Sequence, residues 1–130
     1  MPEFEFNKLV RDKLREEYER IGQKATYREL SESAHKLMLI EKNIEELREI
    51  DITAPKDKII EELADAKQAN NNFMTLCDIT DEQVESARQA KYDKKGGFLG
   101  GTFVETLELA DDDEWVNYYR ENPDVYPEKK

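Results

Sequence analysis

The sequence predicts an all-α fold, an antiparallel bundle of about four helices with a small two-stranded β element. Apolar residues recur every three or four positions through most of the chain, which is the period of an α-helix with one buried face. Charged residues make up 39% of the 130 residues and occupy the positions between. Such a composition is typical of amphipathic helices with heavily charged outer faces.

Helix boundaries follow from the apolar spacing, which predicts helices at about residues 9–21, 33–50, 55–77 and 81–91. Gly22 suits the C-terminal end of the first helix, and Ser31 or Ser33 suits the N-cap of the second. Pro55 fits the first turn of the third helix. The connection before Pro55 is short, so the second and third helices should be antiparallel neighbours.

The second helix carries an apolar stripe with 3-4-3 spacing, formed by Leu37, Ile40, Ile44 and Leu47. That spacing predicts a helix that packs against other helices through this stripe.

The β element is predicted from two short segments. Residues 102–106 form the best strand candidate in the chain and follow a loop that contains four of the five glycines. We expect this strand to pair with residues 25–30. The sequence therefore predicts a domain at 1–109 and a C-terminal tail at 110–130, in which Trp115 and two tyrosines form a short amphipathic helix.

Composition excludes several classes of protein. The net charge of −11 argues against nucleic-acid binding, which needs clustered Lys and Arg. No apolar run approaches the length of a membrane span, the start of the chain does not resemble a secretory signal, and the single Cys77 cannot form an intramolecular disulfide. We therefore expect a cytoplasmic protein with no membrane or nucleic-acid partner.

Two acidic pairs at helical spacing flank the predicted turn around Pro55. Glu46 is followed by Glu49, and Glu62 by Asp65, so each pair lies on one face of its helix. If the helices are antiparallel, the four carboxylates converge, and a cluster of oxygen ligands suits a hard cation such as Mg²⁺. The alternative is a pair of solvated helix faces, because 31 of the 130 residues are acidic.

A family resemblance favours the metal site. The pattern Glu46-x-x-Glu49, twelve intervening residues and Glu62-x-x-Asp65 resembles that of the all-α nucleoside triphosphate pyrophosphohydrolases, the superfamily of MazG, dimeric dUTPases and phosphoribosyl-ATP pyrophosphohydrolase. The stretches NKLVRDK at 7–13 and KKGGF at 94–98 are similar to a phosphoribosyl-ATP-pyrophosphohydrolase-like branch of that superfamily. The resemblance covers roughly residues 5 to 105.

The resemblance implies Mg²⁺, with Mn²⁺ as the alternative, held by the four acids Glu46, Glu49, Glu62 and Asp65. Glu45 is a candidate for orienting or deprotonating the attacking water, with an exposed helix acid as the alternative. A similar Asn in some relatives contacts the nucleoside, which makes Asn72 a substrate-binding candidate.

Basic residues supply candidate partners for phosphate oxygens: Lys8, Arg11, Lys13, Lys42, Lys91, Lys94 and Lys95. For Lys42, an ion pair with a neighbouring acid is the alternative. For Arg11 and its neighbours, the alternative is pairing with acids of the second helix.

The function that this resemblance implies is Mg²⁺-dependent hydrolysis of a nucleoside triphosphate to the monophosphate and pyrophosphate, with removal of non-standard nucleotides as a candidate role. A phosphoribosyl nucleotide is the alternative substrate. A non-catalytic helical module that senses nucleotide or metal is the alternative from another class. Relatives build the bundle from more than one subunit, so we expect a homodimer or homotetramer.

Overall fold

The structure is a computed structural model that describes all 130 residues, and it is all-helical. Five helices follow one another along the chain: α1 (Leu14–Arg20), α2 (Glu32–Arg48), α3 (Lys56–Leu76), α4 (Asp81–Lys95) and α5 (Trp115–Glu121). The predicted all-α class is confirmed. None of the five helices is both long enough and apolar enough to cross a membrane.

The chain divides into two compact units, Met1–Ala90 and Lys91–Lys130. Within the first unit, α2 and α3 form the packed pair. In the second unit, the aromatic rings of α5 pack on one another and on Tyr126, with centroids 4.7 Å apart for Tyr119 and Tyr126. The domain boundary predicted near residue 109 stays a prediction.

The ends of α1 and α2 carry the capping residues that the sequence predicted. Gly22 has a φ of 80°, and the amide of Gln23 donates to the carbonyl of Tyr18 at 2.8 Å. This is the Schellman arrangement, in which a glycine with positive φ closes a helix. Ser31 caps α2, because its hydroxyl accepts a hydrogen bond from the amide of Ala34 at 3.3 Å.

The turn between α2 and α3 is closed by a side chain. Asp51 accepts hydrogen bonds from the amide of Thr53 at 2.9 Å and from its hydroxyl at 2.7 Å. Pro55 follows as the N-cap residue of α3, with a φ of −57° that suits the start of a helix. This short connection folds the two helices into a hairpin.

The predicted β element is absent. The structure contains no strand, and residues 25–30 and 102–106 are irregular segments without a buried side chain. A two-stranded ribbon is marginal unless one of its faces packs against another element. Neither segment has such a covered face, so pairing between them has nothing to stabilise it.

The core of the hairpin differs from the predicted one. Its buried apolar side chains are Leu39, Ala66, Ala69 and Met74. The predicted stripe of α2 stays open, since Leu37, Ile40 and Leu47 are between 39% and 63% exposed. Helix α2 is rotated so that the face with Leu39 and Glu46, seven residues apart, is the buried one. The prediction that α2 packs through its 3-4-3 stripe is therefore wrong within this chain.

Candidate metal centre

Two glutamates are buried in the hairpin, one on each arm. The side chain of Glu46 on α2 is 10% exposed and that of Glu62 on α3 is 9% exposed. Glu residues are rarely buried unless paired, because removing a charged group from water costs free energy. Both buried glutamates belong to the acidic pairs that the sequence singled out.

Three of the four predicted acids converge. One carboxylate oxygen from each of Glu46, Glu49 and Glu62 lies within 4.8 Å of the other two. Helix α2 and its C-cap residue Glu49 supply two of these groups and α3 supplies the third, so the hairpin turn is what brings them together. Three carboxylate oxygens at this spacing could hold one cation.

One oxygen of this cluster has no partner. Oε2 of Glu62 is buried and accepts no hydrogen bond. Buried polar atoms are nearly always hydrogen-bonded, and an unsatisfied one costs roughly 1–3 kcal/mol. Its neighbours in the cluster are other carboxylates, which accept but do not donate when ionised. A cation bound among the three acids would give this oxygen the partner that the protein does not provide.

Each buried glutamate also has a lysine one helical turn before it. Lys42 lies 3.3 Å from Glu46, and Lys58 lies 3.2 Å from Glu62. Each lysine also approaches the preceding acid, with Lys42 3.7 Å from Glu45. The ion-pair alternative for Lys42 is therefore present, and its contact with a phosphate stays a prediction.

Lys58 was missed by the reasoning from sequence. The signal was available, because Lys58 stands four residues before Glu62 just as Lys42 stands four residues before Glu46. The two arms thus repeat one pattern, Lys-x-Ile-Glu-Glu-Leu, at residues 42–47 and again at residues 58–63.

Asp65, the fourth predicted acid, lies outside the three-acid cluster. Its Oδ1 accepts a hydrogen bond from Nη2 of Arg11 at 2.6 Å, and both side chains are exposed to solvent. Arg11 thus pairs with an acid of α3 rather than of α2. A role for Asp65 as a metal ligand stays a prediction.

Glu45, the candidate for activating water, is held by Lys8. Nζ of Lys8 donates to Glu45 Oε1 at 2.7 Å. This hydrogen bond lowers the pKa of Glu45, and the nearby charge of Lys42 acts in the same direction. A carboxylate whose pKa is lowered is a weaker base, so this contact disfavours Glu45 as the base that deprotonates water.

The remaining predicted residues are exposed. Asn72 accepts a hydrogen bond from Gln68 at 3.2 Å on the surface of α3. Lys13 is the residue before α1, and the last two turns of α4 carry Lys91, Lys94 and Lys95. Their roles in substrate binding stay predictions.

Comparisons of the chain with protein-family models, with curated proteins and with solved structures found no match.

The crowding of acids affects the pKa of Glu49. The negative charge of Glu46, partial desolvation and the adjacent Glu62 raise this pKa above its ordinary value of 4.5. A raised pKa means that the folded chain binds a proton at Glu49 more readily than the unfolded chain does. The cluster without a cation is thus less stable when all its acids are ionised.

Glu49→Gln should remove a pH-dependent part of the stability of the cation-free protein. With a raised folded pKa, the contribution of Glu49 is present below the unfolded pKa and is lost as pH rises through the folded pKa. Wild type should therefore lose stability relative to Glu49→Gln over the pH range that begins at the ordinary pKa of 4.5 and extends upward through the raised pKa. Urea unfolding in the presence of EDTA across this range measures the difference.

Glu85→Gln provides a control of opposite sign. The pKa of Glu85 is lowered because Arg88 donates hydrogen bonds to it. Its contribution to stability is present above the unfolded pKa and is lost as pH falls through the folded pKa. Parallel stability curves for wild type and Glu49→Gln would contradict the proposed crowding.

Proposed function

We propose that this chain is a Mg²⁺-dependent nucleoside triphosphate pyrophosphohydrolase of the MazG-like type. The observation that carries the proposal is the three-acid cluster of Glu46, Glu49 and Glu62, with the buried, unpartnered oxygen of Glu62. Two features support a cation there: the carboxylate oxygens are hard ligands, and the hairpin brings them within 4.8 Å. The motif spacing that resembles the pyrophosphohydrolases supports the choice of substrate.

The residues that would bind the cation all belong to the hairpin. Glu46 and Glu62 are fixed by burial and by their lysines, so they would form the rigid part of the site, and the exposed Glu49 would complete it. A divalent cation bound there supplies charge neutralisation on the phosphates and a more acidic water. Mg²⁺ retains several waters when few protein ligands bind it, which leaves room for phosphate oxygens, and Mn²⁺ can take the same ligands.

The basic residues have the chemistry to bind phosphate oxygens. Lys8 and Lys42 already meet at Glu45, beside the cluster. A lysine ammonium or an arginine guanidinium donates charge-assisted hydrogen bonds to phosphate. We assign Lys8, Arg11, Lys13 and Lys42, which lie in the same compact unit as the cluster, to this role, and Asn72 to contact with the nucleoside. Lys91, Lys94 and Lys95 belong to the other unit, and their role in substrate binding stays a prediction.

The experiment that tests this function is a substrate panel on the purified full-length chain. Protein stripped with EDTA is supplied with Mg²⁺ or Mn²⁺ and with ribo- and deoxynucleoside triphosphates and phosphoribosyl-ATP. We expect cation-dependent release of pyrophosphate and the nucleoside monophosphate. The ratio of pyrophosphate to inorganic phosphate decides which bond is cleaved.

Three outcomes of the panel would overturn the enzyme proposal. Release of inorganic phosphate alone would indicate a different reaction. Thermal stabilisation by nucleotide and Mg²⁺ without hydrolysis would favour the sensing module. The absence of both hydrolysis and stabilisation by any nucleotide or cation would favour a structural protein.

We also propose that the chain forms a homo-oligomer through the open stripe of the hairpin. The exposed stripe continues from α2 onto α3, where Ile60 and Leu63 are about half exposed. A helical turn of 3.6 residues places Leu47 and Glu49 roughly 200° apart around α2, and Leu63 and Asp65 likewise around α3. The stripe and the open acids therefore lie on opposite sides of the hairpin, so a second hairpin can cover the stripe and complete a four-helix bundle.

A further inference from the structure

Residues 7–13, here the amino-terminal segment, are tied to both arms of the hairpin. Lys8 pairs with Glu45 of α2 at 2.7 Å, and Arg11 pairs with Asp65 of α3 at 2.6 Å. The two contacts join residues 37 and 54 positions apart in the sequence. Each contact neutralises an acid near the cluster. Asp65 belongs to one of the predicted ligand pairs, and Glu45 directly precedes the other.

The pattern of lysine and acids that begins at Lys42 on α2 is repeated from Lys58 on α3, and the amino-terminal segment contacts the two copies differently. On α2, Lys42 is followed at four and seven residues by Glu46 and Glu49, and both acids join the cluster. On α3, Lys58 is followed at the same intervals by Glu62 and Asp65, and only Glu62 joins it. The two arms differ in their contacts with basic residues. Arg11 forms an ion pair with Asp65, and no basic residue forms an ion pair with Glu49.

We infer that the amino-terminal segment is an internal competitor for the cation site. In the cation-free protein, Arg11 and Lys8 neutralise acids at the rim of the cluster. Binding of a divalent cation that takes Asp65 as a fourth ligand releases Arg11 from it. The inference rests on the proposed function, because it needs a cation at the three acids, and it adds a regulation of that site.

The geometry makes this release feasible. The Arg11–Asp65 pair and the Lys8 ammonium are open to solvent, and exposed ion pairs contribute little to stability. A divalent cation between several carboxylates interacts more strongly than one exposed guanidinium with one carboxylate. Two ligands that exclude each other lower each other's affinity by the same factor, so docking of the segment weakens cation binding and cation binding loosens the segment.

Arg11→Ala tests the competition in the full chain. The probe is Mn²⁺ alone, titrated calorimetrically without nucleotide. Removing the competitor should tighten Mn²⁺ binding about two- to five-fold, the range expected for one exposed ion pair. Arg15→Ala is the matched control, since it removes the same charge four residues further along the chain. The guanidinium of Arg15 stacks on Tyr27, 3.9 Å from the ring centre.

A second readout follows the segment itself. Trypsin cleavage after Lys13 should be accelerated by Mn²⁺ in wild type. In the double variant Lys8→Ala, Arg11→Ala, the same bond should be cleaved rapidly with or without Mn²⁺. This readout does not depend on hydrolysis of any nucleotide.

The outcomes separate this inference from the proposed function. Mn²⁺ binding that is equally tight in wild type and Arg11→Ala, or weaker in Arg11→Ala than in Arg15→Ala, would overturn the competitor and leave the cation site standing. Mn²⁺ binding without any change in cleavage would do the same. Absence of Mn²⁺ binding in every variant would overturn the site and the competitor together.

Discussion

Glu62→Gln should reduce pyrophosphate release at least about 100-fold while leaving the protein folded. The change keeps the size and shape of a buried side chain and removes the charge that a cation needs. Even changes outside the ligand set of a metal site commonly cost 10- to 100-fold in metal affinity or activity, so loss of a buried ligand should cost no less. Steady-state hydrolysis of the best nucleotide of the panel, at saturating Mg²⁺, measures the effect.

Glu61→Gln is the matched control for Glu62→Gln. Glu61 is the adjacent residue, contacts the same Lys58 at 3.6 Å and is exposed. It is not part of the three-acid cluster, so its substitution should change turnover by less than about two-fold, as expected for an exposed surface residue. Equal losses in the two variants would mean that net charge, rather than the cluster, controls activity.

The stability of Glu62→Gln should change in the opposite sense to its activity. Without a cation, three carboxylates repel one another and Oε2 of Glu62 lacks a donor. An amide at this position removes one charge and supplies a donor to the neighbouring carboxylates. Denaturant unfolding in EDTA should therefore show a variant at least as stable as wild type, which is typical of residues kept for function rather than for folding. A strongly destabilised variant would mark Glu62 as a structural residue.

The sequence predicted most helix ends to within two residues because local signals determine them, whereas α1 begins at Leu14 rather than near residue 9 and α4 runs to Lys95 rather than to about residue 91. Ser31, Gly22 and Pro55 act through their own backbone and side chains, and their positions need no knowledge of the rest of the fold. The i, i+3 spacing likewise placed Glu46 with Glu49 on one face of α2. These are properties of a single helix, and the structure has them.

The pairing of Asp65 could not be predicted in the same way. Its spacing from Glu62 matches that of Glu49 from Glu46, so periodicity treats the two acids alike. Arg11, the group that distinguishes them, lies 54 residues away in the sequence and reaches Asp65 only in the folded chain. A contact between distant residues leaves no periodic trace, so the pattern suggested four converging acids where the folded chain brings three together.

The apolar stripe shows a different limit of sequence patterns. The 3-4-3 spacing correctly identifies side chains that favour burial, but it does not tell which surface covers them. Within this chain Leu39 and Glu46 take the contact with α3, which leaves the stripe uncovered. An uncovered stripe on two neighbouring helices is the physical reason to expect a second copy of the chain.

Leu63→Glu should convert an oligomer of this chain into a monomer. Leu63 is 48% exposed on the stripe, and in a symmetric pair of hairpins the new carboxylate would enter the interface twice. Burying unpaired like charges costs several kcal/mol, so dissociation constants should rise at least about 100-fold. Sedimentation equilibrium over a range of protein concentrations measures the mass.

Val84→Glu is the control for this substitution, because Val84 on α4 is 45% exposed and outside the stripe. It adds the same charge to a chain that already carries −11, so general repulsion between copies is equal in the two variants. Only Leu63→Glu should lose the oligomer. If wild type is monomeric at about 100 μM, a concentration at which interfaces of micromolar affinity are formed, or if both variants keep the wild-type mass, then the stripe is not the interface and another element must cover it.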